Sequence, residues 1–63
     1  MLDQQTALQV VSGFNHDFHG LFDADVSVSG DFVSIELWDQ EGNHVSSFED
    51  EAELFFFAEN TPN

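Results

Sequence analysis

Apolar residues in the first third of the chain recur every three to four positions, which is the spacing of one face of an α-helix. The segment runs from Asp3, which can cap the helix start, to about His19, and Gly20 suits a left-handed residue at the helix end. Gly13 costs a helix interior about 1 kcal/mol, so a break near Ser12 is the alternative. The stripe expected to face the core consists of Ala7, Val11, Phe14, Phe18 and Leu21.

The apolar period changes to two in FDADVSVSGDFVSIELWD, residues 22–39, as expected for β-strands. Gly30 and Asp31 fit a two-residue hairpin turn with glycine first. This turn predicts a register that puts apolar partners on one face. The expected pairs are Val28 with Val33, Val26 with Ile35, and Ala24 with Leu37.

A second turn, DQEGN at residues 39–43, predicts a short third strand that continues through about Ser47. Gly42 stands where a three-residue loop needs a left-handed residue, and this loop places Val45 opposite Leu37. The other face of the sheet carries Phe32, Trp38 and His44 beside Asp25 and Glu36. Because a purely solvated face would not hold Phe and Trp, we expect both faces to be at least partly covered.

A second helix is predicted to begin near Phe48, with Ser47 as its cap and Asp50 as the partner in a capping box. Its inward face is expected to hold Phe48, Ala52, Phe55 and Ala58, with Phe57 outside that stripe. A strand at LFFFA is the alternative. The sequence therefore predicts one α+β domain, residues 1–63, with a three-stranded antiparallel sheet between two helices (α-β-β-β-α) and a frayed tail at residues 60–63.

Charge separates this chain from ordinary small domains. It has 13 Asp and Glu, no Lys or Arg, and three His, for a formal net charge of −13. Average usage predicts about seven or eight bases in a chain of this length. Solubility needs a net charge of only about 2 to 8. The remaining explanations are adaptation to high salt and a function that requires an uninterrupted negative field.

Several partner classes are excluded by the same numbers. Without Lys or Arg the chain has no electrostatic footprint for nucleic acid, anionic lipid or nucleotide phosphates, although a protein that binds nucleic acid could be its partner. The longest apolar run, Leu54 to Ala58, is far below the ~20 residues that span a bilayer, and MLDQQT is not a signal peptide. With no cysteine, we expect a cytoplasmic protein without a cofactor.

Two segments have the residue types of a metal site. DVSVSGDFVSIE, from Asp25 to Glu36, formally matches a calcium loop, but its early ligands Ser27 and Ser29 are weak and its valines favour a hairpin. In HDFH, His16 and His19 could start a metal site, but no third ligand is placed by sequence. We therefore interpret these segments as a hairpin and as surface histidines, with no metal.

Catalysis has little support in this sequence. Ser, His and Asp are present, but a triad is defined by geometry, and so small a chain has little room for a cleft. The chain has no Cys or Lys nucleophile and no phosphate loop. We expect a protein that is not an enzyme.

The acidic surface is the feature that remains. Carboxylates fixed on rigid elements can stand where phosphates would stand, and no base in the chain competes for them, so a basic DNA-binding groove would be attracted to them as to DNA. The residues expected to contact such a partner are Asp23, Asp25, Glu36, Asp39, Glu41, Glu49, Asp50 and Glu53.

With this acidic shell and element order, the chain resembles the small DNA-mimic inhibitors of phages and mobile elements, most closely the type I-C anti-CRISPR proteins, in which a three-stranded sheet lies between two helices. The resemblance implies that the protein blocks target DNA from Cascade, the crRNA-guided surveillance complex. We expect it to act as a monomer in the host bacterial cytoplasm. VSIELW followed by a hairpin is also similar to the acidic strand of uracil-DNA glycosylase inhibitors. An acidic calcium-binding module or a halophilic structural domain is the alternative of another class.

Overall fold

The computed structural model describes residues 2–62 and contains two helices and three strands. In chain order these are α1 (Gln4–Asp17), β1 (Phe22–Ser29), β2 (Phe32–Asp39), β3 (His44–Phe48) and α2 (Glu51–Glu59). The strands form one antiparallel sheet with the order β1-β2-β3. The predicted α+β fold and its α-β-β-β-α order are confirmed.

Helix α1 begins where the sequence indicated and ends at Asp17, two residues before the predicted end near His19. Asp3 is the N-cap, and its carboxylate accepts a hydrogen bond from the Thr6 backbone N–H at 2.7 Å. The helix runs without a break through Gly13, and Gly20 beyond its end has a left-handed φ of 86°. Leu21 was expected in the buried stripe, but it is 43% exposed, because the chain has already left the helix and turned towards β1.

The β1–β2 hairpin has the predicted register, with Val28 opposite Val33, Val26 opposite Ile35 and Ala24 opposite Leu37. Helix α1 also contacts the free edge of this hairpin through Asn15. The Asn15 amide donates to the Ala24 carbonyl at 3.0 Å and accepts from the Ala24 N–H at 2.8 Å. One side chain therefore satisfies both backbone groups of an edge-strand residue.

The pairing of β3 differs by one residue from the prediction. Ser46, and not Val45, lies opposite Leu37, because the register shifts at a β-bulge between Leu37 and Trp38. The bulge leaves Val45 exposed and brings Phe48 opposite Ile35. The extra residue thus places a large aromatic side chain on the core face.

Helix α2 begins later than predicted. Ser47 is a residue of β3 and not a cap, and the N-cap is Asp50, whose carboxylate accepts from the Ala52 N–H at 3.1 Å. Glu53 completes the cap by accepting from the Glu49 N–H at 3.0 Å. The helix cannot begin at Phe48 because that residue is buried as the last residue of the strand.

The buried face of α2 was also predicted incorrectly. Leu54 is fully buried, and Phe57 and Ala58 pack against the core. Ala52 is exposed, and so is Phe55. The later helix start changes which residues point inward, so Phe57 lies inside the stripe.

Both helices lie on the same face of the sheet. The Phe57 ring of α2 lies 6.2 Å from Phe14 of α1, 5.6 Å from Phe22 of β1 and 5.8 Å from Phe48 of β3. The core between helices and sheet consists of Leu2, Ala7, Val11, Phe14, Phe18, Ala24, Ile35, Leu37, Phe48 and Leu54. The expectation that both faces of the sheet are covered by the helices is therefore wrong, and the outer face has no layer over it.

Beyond α2, the backbone N–H of Asn60 bonds to the Phe56 and Phe57 carbonyls, and Thr61 donates to Ala58. Of the tail that we expect to fray, Asn63 lies outside the described residues. The fraying stays a prediction.

Candidate functional site

The uncovered outer face of the sheet carries a series of polar and acidic side chains. Strand alternation places Asp23 and Asp25 of β1 beside Trp38 and Glu36 of β2, their cross-strand partners. Ser47 and His44 of β3 pair with the same two β2 residues from the other side. The outer face is therefore an acidic surface with one tryptophan.

The eight predicted acidic residues fall into three groups along the length of the sheet, and we call them together the acidic track. Asp39 and Glu41 lie at the β2–β3 turn. Asp23 is close to them because its partner on β2 is Trp38, the residue before Asp39. Asp25 and Glu36 form the middle as a cross-strand pair. Glu49, Asp50 and Glu53, at the start of α2, line a shallow depression at the other end of the sheet, with Asp31 and Phe32 on one side and the core residues Leu2 and Val33 on the other.

Three acids of the track share the outer face of the two longest strands. Asp23 and Asp25 are two residues apart on β1, which is about 7 Å of extended strand, and Glu36 is the cross-strand partner of Asp25. A single DNA strand has one phosphate per ~3.4 Å of axis, so the local charge density of these three carboxylates is of the same order.

Glu36 is the most constrained of these acids. Its carboxylate accepts hydrogen bonds from Ser47 Oγ at 2.6 Å and Ser34 Oγ at 3.0 Å, and it lies 2.8 Å from His44 Nε2. These contacts, the Ser47 hydroxyl above all, lower the pKa of Glu36 below its ordinary value of 4.5. Since the side chain is only 23% exposed, Glu36 is an ordered anion in the centre of the outer face.

Asp39 holds the β2–β3 turn in place. Its carboxylate accepts from the backbone N–H groups of Glu41 and Asn43, each at 2.9 Å. The hydrogen bond from the Asn43 backbone is the main cause of the lowered pKa of Asp39. This acid is therefore both a turn-forming residue and a fixed negative charge.

The remaining acids of the track differ in how much structure they support. Asp50 and Glu53 cap α2, and Asp25 accepts from the N–H of its neighbour Val26 at 2.9 Å. Among residues 2–62, the carboxylates of Asp23, Glu41 and Glu49 have no hydrogen bond or ion pair. These three are the acids whose charge can be removed without removing a contact.

Almost nothing within the described chain neutralises this surface. Two histidines lie near carboxylates: His44 at 2.8 Å from Glu36, and the exposed His16 at 3.5 Å from Asp17. Each pair carries charge attraction only when the imidazole is protonated. The track thus presents its negative charge outward.

The segment from Asp25 to Glu36 forms the β1–β2 hairpin, so its oxygen-bearing residues lie along two strands and do not wrap around one point. In the part of the chain that the structure describes, no group of three or more His, Asp or Glu residues could hold a metal ion. His16 and His19 are both exposed near the end of α1.

Sequence reasoning missed the contacts that order the centre of the outer face. The Trp38 and His44 rings meet edge to face, with centroids 5.6 Å apart and an interplanar angle of 74°. A one-residue bulge pairs His44 with Trp38 and Ser47 with Glu36. The spacing of these residues is compatible with that pairing, but the local sequence pattern does not show that a bulge is present.

An apolar groove was also missed. It lies between β3 and α2, has a volume of about 590 Å³ and is lined mainly by Phe48, Ala52, Phe56 and Phe57, with Glu53 at its side. Phe56 is 69% exposed there. The groove forms where Phe48, the last residue of β3, meets Phe56 and Phe57 of α2. The sequence prediction missed it because it started α2 at Phe48.

No family model, curated protein or solved structure matches this chain. Over residues 2–62, neither helix combines the length and the apolar character that crossing a membrane requires.

Proposed function

We propose that this protein is a DNA mimic: an inhibitor, not an enzyme, whose acidic track occupies the DNA-binding groove of a basic protein and excludes DNA from it. The observation that carries the proposal is the acidic track itself, in which carboxylates are fixed on the outer face of a rigid sheet, on its β2–β3 turn and at the start of α2, with no Lys or Arg to pair with them.

Charge density supports this proposal. The molecule measures 31 × 22 × 16 Å and carries 13 carboxylates, which is one per ~2.4 Å of its longest dimension. Duplex DNA has one charge per ~1.7 Å. A groove lined with Lys and Arg would therefore meet a field similar in strength to that of its DNA ligand, and steering would accelerate association.

Rigidity supports it as well. Glu36, Asp39, Asp50 and Glu53 are each held by hydrogen bonds to the fold. Charges that are already ordered lose little side-chain entropy when a partner binds. This is an advantage over a disordered acidic tail, which must be ordered at the moment of binding.

The target that we favour is Cascade, in line with the resemblance to type I-C anti-CRISPR proteins. The protein would then act in the host bacterial cytoplasm, as a monomer, by preventing target DNA from binding. Mutual repulsion between copies of net charge −13 supports a monomer, and the partner is a protein and not nucleic acid.

The test is a competition experiment with purified Cascade. Inhibitor and target DNA should exclude one another, and the affinity of the inhibitor should fall steeply between about 50 and 200 mM salt, as expected for six to ten charge contacts. A ternary complex of Cascade, DNA and inhibitor would contradict the mimicry. If Cascade does not bind, the next experiment is capture of binding proteins from a bacterial lysate with and without competing DNA. A protein that DNA competes away would mean that only the target was wrong, whereas binding that DNA does not affect would mean that the mechanism was wrong.

A second candidate is inhibition of uracil-DNA glycosylase, or mimicry against another host DNA-binding protein. The specific observation that favours the glycosylase is the apolar groove beside β3, because such inhibitors combine an acidic strand with a pocket for an apolar enzyme side chain. Direct measurement of uracil excision with and without the protein decides this. Unchanged excision rates at excess inhibitor would eliminate it.

Functions of another class make different predictions. A calcium-binding module would show saturable calorimetric binding of Ca²⁺ that Glu36→Gln abolishes. A halophilic structural domain would fold only in molar salt. Circular dichroism at low salt tests the latter, and a folded spectrum there favours the inhibitor.

A further inference from the structure

The outer face of the sheet carries two large aromatic residues: Phe32 near the hairpin end, and Trp38 among the acids of β1 and β2. Trp38 is partly buried on β2, with Asp23 directly opposite on β1 and His44 opposite on β3. Its indole packs edge to face on the His44 imidazole, and His44 is in turn held 2.8 Å from Glu36. The indole is therefore held against His44 on one side, and its exposed part lies on the uncovered face of the sheet.

Carboxylates surround this indole at short range. Cross-strand neighbours in a sheet have Cβ atoms about 4.5–5.5 Å apart, and diagonal neighbours lie about 7–8 Å apart. Asp23 is the direct neighbour of Trp38 on β1, and Asp25 is a diagonal one. Asp23 makes no hydrogen bond within residues 2–62, so its carboxylate is available to a partner.

A cation is the ligand that both features select. The face of an indole attracts a cation within about 6 Å of its centroid, and a carboxylate beside it attracts the same charge. His44 contacts the indole, but the chain has no Lys or Arg of its own, so a guanidinium or ammonium group at this position must come from a partner. A second copy of this chain cannot supply it.

Arginine fits better than lysine. Its planar guanidinium can stack on an aromatic ring and at the same time donate two parallel N–H bonds to a carboxylate, and it is more weakly hydrated than an ammonium group. Lysine is attracted as a point charge and gains less from a stacking surface.

We propose that the outer face around Trp38 and Asp23 is a docking site for an arginine side chain of the basic partner. The inference deepens the DNA-mimic proposal and rests on it, since it names the surface and the chemistry of recognition. The acidic track supplies attraction and steering, and Trp38 supplies a contact that a purely electrostatic mimic lacks.

The test uses two capped peptides, tetra-arginine and tetra-lysine, titrated against the whole protein by calorimetry at low salt. Trp38 is the only tryptophan of the chain, so its fluorescence reports binding at this site directly. We expect the arginine peptide to bind about two- to fivefold more tightly, the factor of a cation–π contact at an exposed site, and to change the Trp38 emission. Equal affinity for both peptides overturns the inference.

Variants locate the effect. Trp38→Leu should lower the affinity for tetra-arginine more than the affinity for tetra-lysine and so remove the arginine preference, whereas the matched control Phe32→Leu, on the same face, should keep the preference. Trp38→Phe retains an aromatic ring and should keep part of the arginine preference. This variant replaces Trp38→Leu in the test if the leucine variant does not fold. A preference that persists in folded Trp38→Leu places arginine recognition elsewhere and refutes the proposal.

The two proposals fail differently. If arginine preference is found but no DNA-binding protein is competed from DNA, the docking site stands and the mimicry falls. If the protein competes with DNA but Trp38→Leu binds the target as well as the wild type does, the mimicry stands and the docking site falls.

Discussion

Removing two carboxylates from the acidic track should weaken partner binding far more than removing two from the helix side. The perturbation is Asp23→Asn with Glu49→Gln, one near each end of the track. Neither side chain makes a hydrogen bond within residues 2–62, so the fold should be retained. The matched control is Glu51→Gln with Glu59→Gln, which removes the same charge from the two ends of α2.

The expected magnitude follows from counterion release. Each charge contact to a nucleic-acid-like polyanion contributes about 0.9 to the slope of log K against log salt concentration. One contact therefore makes the binding constant about eightfold larger at 0.1 M salt than at 1 M salt. Two contacts therefore correspond to roughly a 60-fold loss of affinity at 0.1 M and a slope that is less steep by about 1.8. The control pair should change the affinity by a few-fold only, through the long-range field.

The assay is a titration of each variant against the purified target at several salt concentrations, with circular dichroism to show that each is folded. Equal losses for the two pairs would mean that only total charge matters. The partner would then not read the arrangement of the track, and the reasoning from spacing would be refuted.

The remaining predictions concern the fold that holds the track. Leu54→Ala should lower the free energy of unfolding by about 2–5 kcal/mol, because Leu54 is fully buried. That is a large part of the ~3–9 kcal/mol expected for a domain of this size. Phe56→Ala, at an exposed site, should have little effect, and urea unfolding of the two variants compares them. Asp50→Ala should cost about 1 kcal/mol by removing the α2 cap, measured in the same way; an unchanged midpoint would show that the cap contributes nothing. Because the pKa of Glu36 is lowered in the folded state, its contribution to stability is present above its ordinary value of 4.5 and is lost as the pH falls through the folded-state value. Ser47→Ala removes the main cause of that shift, so its unfolding free energy should fall less steeply below pH 4.5 than that of the wild type; parallel pH profiles would contradict this.

The elements that the sequence predicted correctly are those defined by local signals. Asp3 caps α1, Gly20 and Gly42 take left-handed conformations, and the hairpin register follows from alternation around Gly30. Each of these depends on residues that are close in the chain. The candidate acids were predictable for a similar reason, since charge and strand alternation decide that they are on the surface.

The elements that were predicted incorrectly depend on long-range packing. Val45 was expected opposite Leu37, and Ser47 was expected to cap α2, but the burial of Phe48 beside Ile35 requires a bulge and a longer strand. The shift moved the N-cap of α2 to Asp50 and changed which phenylalanines face the core.

The sequence by itself determined a small acidic α+β domain with no internal base to neutralise it, because composition and short-range periodicity are properties of the chain alone. Only the tertiary structure decided that both helices share one face of the sheet, which leaves the other face uncovered. The physical reason is that five phenylalanine rings, contributed by both helices and two strands, pack into one aromatic cluster on that face. The exposure of Asp23, Asp25, Glu36 and Trp38 on the other face follows from that arrangement.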